Sequence, residues 1–451
     1  GPPVEVVMME TRSEELDQPA EVEKEIKREI EKLPEPTEVP EHEIRNDAEY
    51  SATEEISNIP DPGQGRGLGT GTGTGVGDGD QAGLQISGAK SPLIMKGLYG
   101  SRSSGGRGRA LSKYGGGSAT EGAVLRALRW LKKEQKPDGS WDTPPAAMTG
   151  WALLCYLAHG ETPASEEFGP TVEKAIKYLI GSRDAAGGWP RAYQHAIATY
   201  AICEAYGMTK VPTLKDAGQK GIDIVIKGQT AIGGWRYGLT PEDTGNDTST
   251  AGWCAQALKA AKLAGIEHDG LENAIRQGIK GFKANAAPTG GFGYAGPGGG
   301  GLTAAGVLCM QLLGAVKDPD TRNGLTVMEP WTCKWDDSGG TQLYYWYYAT
   351  QAKFHAGGDV WNNWNKQFSP ELVRSQIVLK GAGIDGKDIG FWDLPAADKK
   401  GISTGLVFNT TLCCLMLEVY YRYLPTFKPP EEMKVEEAPA DTSTDISIEV
   451  K

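Results

Sequence analysis

The sequence lacks several features that would each place it in a familiar class of protein. No run of apolar residues approaches the ~18 of a membrane-spanning helix, so we expect the chain as given to be soluble. Its seven cysteines are too few in 451 residues for a disulfide framework, and no CxxC pair indicates a zinc site. No segment is dense in Lys and Arg, which argues against a nucleic-acid partner. We therefore predict no nucleic-acid partner, no bound metal and no cofactor.

Acidic residues are concentrated at the two ends of the chain, whose overall net charge is −12. Residues 1–87 are first Glu- and Pro-rich and then Gly-rich, which predicts a disordered acidic segment followed by a flexible linker. We predict that residues 88–118 form a strap that docks on the folded core. Residues 428–451 are predicted to be a second disordered acidic tail. The folded domain is therefore expected to be residues 119–427.

Within the predicted domain, a short motif of small residues followed by an aromatic residue recurs with a period of about fifty residues. The aromatic residues that end the motif are Trp141, Trp189, Trp235, Phe292, Trp335 and Trp392. An amphipathic run precedes each motif; in the first, Val124, Leu128 and Leu131 share one helical face. A run that is apolar nearly all round follows each motif, which is typical of a fully buried helix.

This alternation predicts helical hairpins with one outer and one inner helix each. Five of the inner helices are predicted to end at a left-handed glycine, namely Gly160, Gly207, Gly265, Gly314 and Gly357. Helices that are apolar on all sides are best buried when the hairpins close into a ring, with the inner helices forming a barrel. The predicted fold class is therefore all-α, an α/α toroid of about six helical hairpins. An open solenoid is the alternative.

The turn motif resembles the QW signature of the squalene cyclase and protein-prenyltransferase superfamily. Full copies are QKPDGSW, with Gln135 and Trp141, and QTAIGGW, with Gln229 and Trp235. Weaker copies end at Trp189, Phe292 and Trp392. The segments TEGAVLRALRWLK, LYYWYYATQAKFHAGG and TLCCLMLEVYYRYLP are similar to a group of bacterial prenyltransferase/squalene oxidase repeat proteins. The resemblance implies an α/α toroid, and a tether to the cell envelope, because many members of that group carry an N-terminal membrane anchor.

The sequence lacks the full set of acidic residues that the chemistry of this superfamily requires. Class II terpene cyclases protonate their substrate with a DxDD motif, which is absent here. The nearest acidic residues are Asp243, Asp247, Asp336 and Asp337, all close to the start of an inner helix. Asp247 is also suited to cap its helix, and Asp336 and Asp337 to form a solvated turn. These four residues are candidates for an acid or a cation-binding group at helix N-termini.

Neither a prenyltransferase-type zinc site nor a lyase site is supported by the remaining motifs. His195 and Cys203 share a helix, but their spacing places them roughly 12 Å apart along its axis, too far to hold one ion. His195 is expected at the rim of the ring or in its core. The GGWP segment at 187–190 is similar to pectate-lyase toroids, but the catalytic pattern that accompanies it there is absent.

The aromatic run at 344–348 is the most informative feature for function. Inward-facing aromatic rings stabilise cations and line apolar pockets, although they can also simply fill the space between helices. The candidate cavity residues are His195, Tyr237, Tyr294, Trp335, Tyr344, Tyr345, Tyr347 and Tyr348. We interpret the chain as a non-catalytic toroid with an aromatic, acid-rimmed central cavity that binds an apolar or amphipathic ligand, or a protein partner. The alternatives are a terpene-cyclase-like enzyme acting on an isoprenoid, and a polysaccharide-lyase-like toroid.

Overall fold

The computed structural model describes residues 99–338, 340–395 and 405–422. The predicted disordered segments at 1–87 and 428–451 lie outside these residues, as does the first part of the predicted strap. In the described part of the chain, no helix combines the length and hydropathy needed to cross a bilayer.

In the described part of the chain, twelve helices alternate between an outer and an inner layer. The outer helices are α2 (Ser118–Glu134), α4 (Gly169–Gly181), α6 (Pro212–Lys227), α8 (Leu271–Ala284), α10 (Pro319–Met328) and α12 (Gly358–Ser375). The inner helices are α3 (Pro145–Ala158), α5 (Ala192–Thr209), α7 (Thr248–Ala264), α9 (Leu302–Leu312), α11 (Gly340–Ala356) and α13 (Leu406–Leu417). The remaining elements are α1 (Ser104–Tyr114), α14 (Val419–Arg422), and the strands β1 (Ile377–Leu379) and β2 (Ile389–Phe391).

The two layers follow from the distribution of apolar residues. In α8, Leu271, Ile275 and Phe282 are buried on one face while charged residues occupy the other, which places this helix on the outside. In α13, every residue after the first is buried, because the helix is surrounded by neighbours on all sides. This burial of whole inner helices is what makes one continuous core.

The inner helices form a closed ring. Each of α3, α5, α7, α9 and α11 contacts the next inner helix, and the last one, α13, contacts the first one, α3. The predicted all-α toroid of six hairpins is thereby confirmed, and the open solenoid is wrong. Because the ring is closed, every inner helix has an inner helix on both sides. In an open array, the first and last hairpins would each lack one neighbour.

Aromatic side chains fill the interior of the ring. The ring centroids of Trp151 on α3 and Trp253 on α7 are 5.4 Å apart, and Trp253 stacks on Tyr347 of α11 at 5.6 Å. Phe408 on α13 meets Trp151 edge to face at 5.1 Å. Because α3 and α7 are not neighbours in the ring, and neither are α7 and α11, these contacts cross its interior.

The end of the ring where α3 and α5 finish is covered by residues 99–114. Arg102 is buried there and donates to Glu204 through two nitrogens, at 3.2 and 3.3 Å, and to the carbonyl oxygens of Leu157 and Arg422. One guanidinium thus links α3, α5 and α14. Helix α1 packs against α14 and extends this cover.

Two local predictions need correction. Gly207 does not end its helix, since α5 continues to Thr209 and is followed by Lys210 at φ 55°. A Cβ at position 207 would lie 2.0 Å from the hydroxyl oxygen of Tyr99, so this glycine makes room for the covering segment. The other four predicted glycines do have positive φ. The antiparallel pair β1–β2 was not predicted; it packs on α2, where Phe391 stacks on Trp130.

Candidate functional site

The tryptophans of the turn motif tie each turn to the end of the preceding outer helix. Four indole N–H groups donate to a carbonyl oxygen near that end: Trp141 to Leu131, Trp189 to Leu179, Trp235 to Val225, and Trp392 to Leu372, at 2.8–3.1 Å. Helix ends leave carbonyl groups without intrahelical partners, and these indoles satisfy one in each of the four repeats. Phe292 and Trp335 are buried at the corresponding places.

The two glutamines of the full motifs connect neighbouring repeats. The side-chain amide of Gln135 donates to Gly139 O within its own turn and to Thr171 O in α4. Gln229 repeats this pattern with Gly233 O and with a carbonyl oxygen of α8. The motif residues therefore have structural contacts, and we assign them no ligand.

The candidate site lies where α7 and α9 begin. The turn that leads into α7 is bonded to the glycine-rich loop 293–301 that leads into α9. Thr248 donates its backbone N–H to Tyr294 O at 2.9 Å and its hydroxyl to Gly293 O at 2.6 Å. The first turn of one inner helix and the loop before the next therefore form a single wall, which we call the mouth.

Asp247 is the central charged residue of the mouth. Its Oδ1 accepts from the backbone N–H groups of Ser249 and Thr250, at 3.0 and 2.9 Å, and so caps α7. The side chain is fully buried; Oδ2 has no partner in ideal hydrogen-bonding geometry among the described residues, and the hydroxyl groups of Tyr294 and Tyr237 are the donors near the carboxylate. Burial raises the pKa of Asp247, against the opposing effect of the hydroxyl groups of Tyr294 and Tyr237. A fully buried carboxylate without an ion-pair partner among the described residues is unusual in a folded protein.

Tyrosine rings surround this carboxylate. The hydroxyl groups of Tyr237 and Tyr294 are 2.5 Å apart. The Tyr193 ring lies 6.0 Å from that of Tyr237, and its hydroxyl group is hydrogen-bonded to Ser249. Burial raises the pKa of Tyr193 and of Tyr294, so both phenols stay protonated at neutral pH. Aromatic faces close to a carboxylate favour a cationic ligand.

A cavity of about 480 Å³ opens beside the tyrosines and is lined by residues 293–302 and Tyr345. Tyr294 belongs both to this lining and to the pair with Tyr237. A Cβ at Gly301 would overlap the Tyr345 ring, at 1.8 Å, whereas one at Gly299 or Gly300 would meet nothing within 4 Å. Glycine at 301 thus lets Tyr345 lie against the start of α9, and the loop leaves open space in front of it.

Several residues that the sequence suggested as cavity residues lie elsewhere. His195 is buried; its Nδ1 accepts from the Trp189 backbone N–H at 3.3 Å and its Nε2–H donates to Gly221 O at 2.9 Å. Both ring nitrogens are thereby occupied, and burial lowers the pKa of this imidazole. Trp335 is also buried, and its backbone N–H donates to Glu371. These two residues position helices and do not line the described cavity.

Three of the four tyrosines in the aromatic run pack inside the ring. Tyr344, Tyr347 and Tyr348 are fully buried and contact one another and Trp253, so the space-filling interpretation describes them. Only Tyr345 reaches the cavity lining. The direction of each side chain in a run of five consecutive aromatic residues depends on how α11 is rotated in the ring, which the sequence pattern does not reveal.

The candidate acids also lie partly at the mouth and partly elsewhere. Asp336 is exposed and forms an ion pair with Arg374 at 3.4 Å, as expected of a solvated turn. Asp337 follows it in a short 3₁₀ turn, and its side chain is outside the described part. Asp243 is half-buried in the turn before Asp247, and its Oδ2 is buried without a hydrogen-bond partner among the described residues. Asp247 is thus the candidate acid that lies at the mouth.

Sequence reasoning missed two parts of the mouth. One is Tyr193, which stands two residues before the already considered His195 and has no distinguishing pattern. The other is the segment GYAGPGGGG at 293–301, which the sequence displays plainly as a glycine cluster directly before an inner helix. A loop of this composition at a helix N-terminus is a signal for an open site, because it exposes backbone and excludes side chains.

No family model and no curated protein matches the chain. Among solved structures, the chain is similar to the cellobiose 2-epimerase from Spirochaeta thermophila DSM 6192, with a TM-score of 0.51 and 15% sequence identity. The match covers 70% of this chain and 98% of the epimerase chain. At this level of identity the likeness establishes the α/α toroid fold alone.

Proposed function

We propose that this protein is a ligand-binding α/α toroid whose site is the mouth, and that the ligand carries a cationic, ammonium-type end. The ligand would place its charge between Asp247 and the rings of Tyr237 and Tyr294. Its remaining part would occupy the cavity in front of the glycine loop and Tyr345.

The observation that carries this proposal is the buried carboxylate of Asp247, which backbone N–H groups and the hydroxyl groups of Tyr237 and Tyr294 stabilise and which has no ion-pair partner among the described residues. A single capping interaction requires only Oδ1, and Ser or Asn would supply it without the cost of burying a charge. A cation at the mouth would compensate that charge, and the tyrosine rings would add cation–π attraction. A ligand is therefore the component that makes this arrangement favourable.

The QW-like turns support kinship with the squalene cyclase and protein-prenyltransferase superfamily, which we likewise propose. Gln135 and Gln229 make the same pair of contacts in two repeats, and four tryptophans make the same indole bond. Repetition of these contacts favours descent from one duplicated hairpin. It supports the scaffold of that superfamily and does not extend to its catalysis, since the DxDD motif is absent from the sequence.

Choline is a suitable probe, because it combines a quaternary ammonium with one hydrogen-bond donor. We expect the full chain to bind it, and Asp247→Asn to weaken binding by about tenfold, the effect of losing ~1.4 kcal/mol of charge attraction while the tyrosine rings remain. Asp336→Asn is the matched control, because it removes an equal charge from an exposed acid outside the mouth. Calorimetric titration of the three proteins measures the difference.

Two results would contradict the proposal. One is equal affinity of wild type and Asp247→Asn for choline, and the other is absence of choline binding by the wild type at millimolar concentration. Cellobiose, the sugar in the name of the structural neighbour, is the neutral comparison. If the protein binds cellobiose and not choline, the proposed ligand would be a carbohydrate and not a cation.

Catalysis at the same site is the second candidate, favoured by the raised pKa of Asp247. A carboxyl group whose pKa is raised by burial can act as a general acid, and perturbed groups cluster at active sites. Incubating the full chain with squalene, oxidosqualene and a polyprenyl diphosphate tests this candidate. A cyclised product formed by wild type and not by Asp247→Asn would make the protein an enzyme.

A further inference from the structure

A second group of polar side chains lies inside the ring, on helices away from the mouth. Cys155 belongs to α3, Cys414 to α13, and Glu418 follows directly after α13. One donor atom from each residue, two thiol sulfurs and a carboxylate oxygen, lies within 4.8 Å of the other two. All three residues are completely buried.

Glu418 is the anomaly in this group. Neither of its carboxylate oxygens has a hydrogen-bond partner among the residues that the structure describes. Leaving such a group unpaired in the interior costs free energy in either protonation state, and a native orphan of this kind calls for an ion or another unassigned partner. The thiols of Cys155 and Cys414 lie beside it, and the charge of Arg422 also acts on it.

We propose that Cys155, Cys414 and Glu418 bind a zinc ion. Two thiolates and one carboxylate are donors that Zn²⁺ accepts in tetrahedral sites. Tetrahedral coordination with Zn–S bonds of about 2.3 Å needs sulfurs about 3.8 Å apart, so side-chain movements of about 1 Å or less close the site. The carbonyl oxygen of Thr411 lies 3.4 Å from the Cys155 sulfur and is a nearby candidate for the fourth ligand.

The charges around the group balance with the ion present. Two thiolates, one carboxylate and Zn²⁺ sum to −1. The guanidinium of Arg422, one helical turn after Glu418 and also buried, supplies +1. The neighbouring Arg102 and Glu204 already neutralise each other at 3.2 Å. A buried charged cluster is tolerated when its members are paired or coordinate a metal.

The position of the group indicates what the ion would do. Cys414 and Glu418 are four residues apart, so they lie on one face at the end of the last inner helix. Cys155 lies in the first inner helix. The zinc ion would therefore join the two ends of the repeat array and stabilise the closed ring. Because its ligands come from opposite ends of the folded domain, no CxxC pattern in the sequence indicates this site.

The first test is the metal content of the full chain, purified without chelators from zinc-supplemented cells. We expect about one zinc per chain for wild type, and less than a tenth of that for Cys155→Ser and for Glu418→Gln. Cys203→Ser is the matched control, because Cys203 is an equally buried cysteine on α5 outside this group, and it should retain its zinc. Equal zinc content in wild type and in Cys155→Ser, or none in wild type after zinc saturation, would overturn the proposal.

Three measurements on the wild type keep the proposal testable if the variants do not fold. Removing metal under reducing conditions and restoring Zn²⁺ should raise the unfolding midpoint by about 5 °C. Co²⁺ in place of zinc should give the thiolate charge-transfer bands of a tetrahedral site, and the spectrum of hydrated Co²⁺ alone would contradict it. Titration in denaturant should find all seven thiols free. Five free thiols would indicate a Cys155–Cys414 disulfide and would also overturn the proposal.

Discussion

At the scale of single residues, two aspartates with the same capping role are expected to respond oppositely to pH. Asp247 caps α7 with a pKa that burial raises, whereas Asp318 caps α10 with a pKa that Lys283 lowers in spite of partial burial. A raised folded-state pKa means that ionisation costs stability as the pH rises through it. A lowered one means that ionisation adds stability above the unfolded pKa.

Asp247→Asn keeps the capping oxygen and removes the charge, so its free energy of unfolding should increase relative to wild type as the pH rises above the ordinary pKa of an aspartate. Asp318→Asn should instead lose stability relative to wild type as the pH rises through the ordinary pKa of an aspartate, because it loses a favourable ion pair. Urea unfolding at several pH values measures both trends. A flat difference for Asp247→Asn would show that its charge is compensated within the protein itself.

Trp235 shows what the turn motif contributes to stability. The side chain is fully buried and its indole bonds to Val225 O at 2.8 Å. Trp235→Ala should therefore cost ~3–5 kcal/mol of unfolding free energy. Trp235→Phe should cost ~1–3 kcal/mol, mainly for the unpaired carbonyl group, since Phe292 already occupies the equivalent place in another repeat. We also expect Trp235→Phe to bind choline with unchanged affinity. A large loss of choline binding in a variant that is as stable as wild type would contradict a structural role for Trp235.

At the scale of elements, the covering segment 99–114 depends on one glycine of α5. Gly207→Ala should displace Tyr99 and detach this cover, because the new methyl group would overlap the phenol hydroxyl. Gly181→Ala is the control: it lies in the last turn of α4, where a Cβ meets nothing within 4 Å, and should stabilise by ~0.5–1 kcal/mol. Hydrogen exchange of residues 99–114 distinguishes the two variants. Equal protection of this segment in both would mean that Tyr99 does not hold it.

The elements themselves were largely predictable, since outer and inner helices differ in how apolar residues are arranged around them. The fifty-residue repeat then implies a ring, because inner helices buried on all sides need neighbours on both sides. The hairpin at 377–391 was not predictable, as its strands are only three residues long. Of the residues proposed from the sequence as candidate acids or cavity residues, Asp247, Tyr237 and Tyr294 lie at the mouth, whereas His195 and Tyr347 do not. Helix rotation and contacts between distant repeats decide such positions, and neither is encoded in local periodicity.

At the scale of the whole molecule, ring closure and the covering segment together predict one cooperative unit. Because Arg102 is bonded to α3, α5 and α14, limited proteolysis should leave a stable fragment that begins between residues 88 and 99 and ends after α14. The same fragment should unfold in a single transition. A fragment that begins near residue 119, or two separate unfolding transitions, would show that the cover and the ring are independent.

The central functional proposal is that the mouth recognises a positive charge. The most direct measurement compares, by calorimetric titration of the full chain, choline with neohexyl alcohol, its uncharged isostere in which carbon replaces nitrogen. We predict that wild type prefers choline by about tenfold or more and that Asp247→Asn loses most of this preference. Equal affinity of wild type for the two compounds, or an undiminished preference in Asp247→Asn, would contradict the assignment of Asp247 and its tyrosines as a cation site.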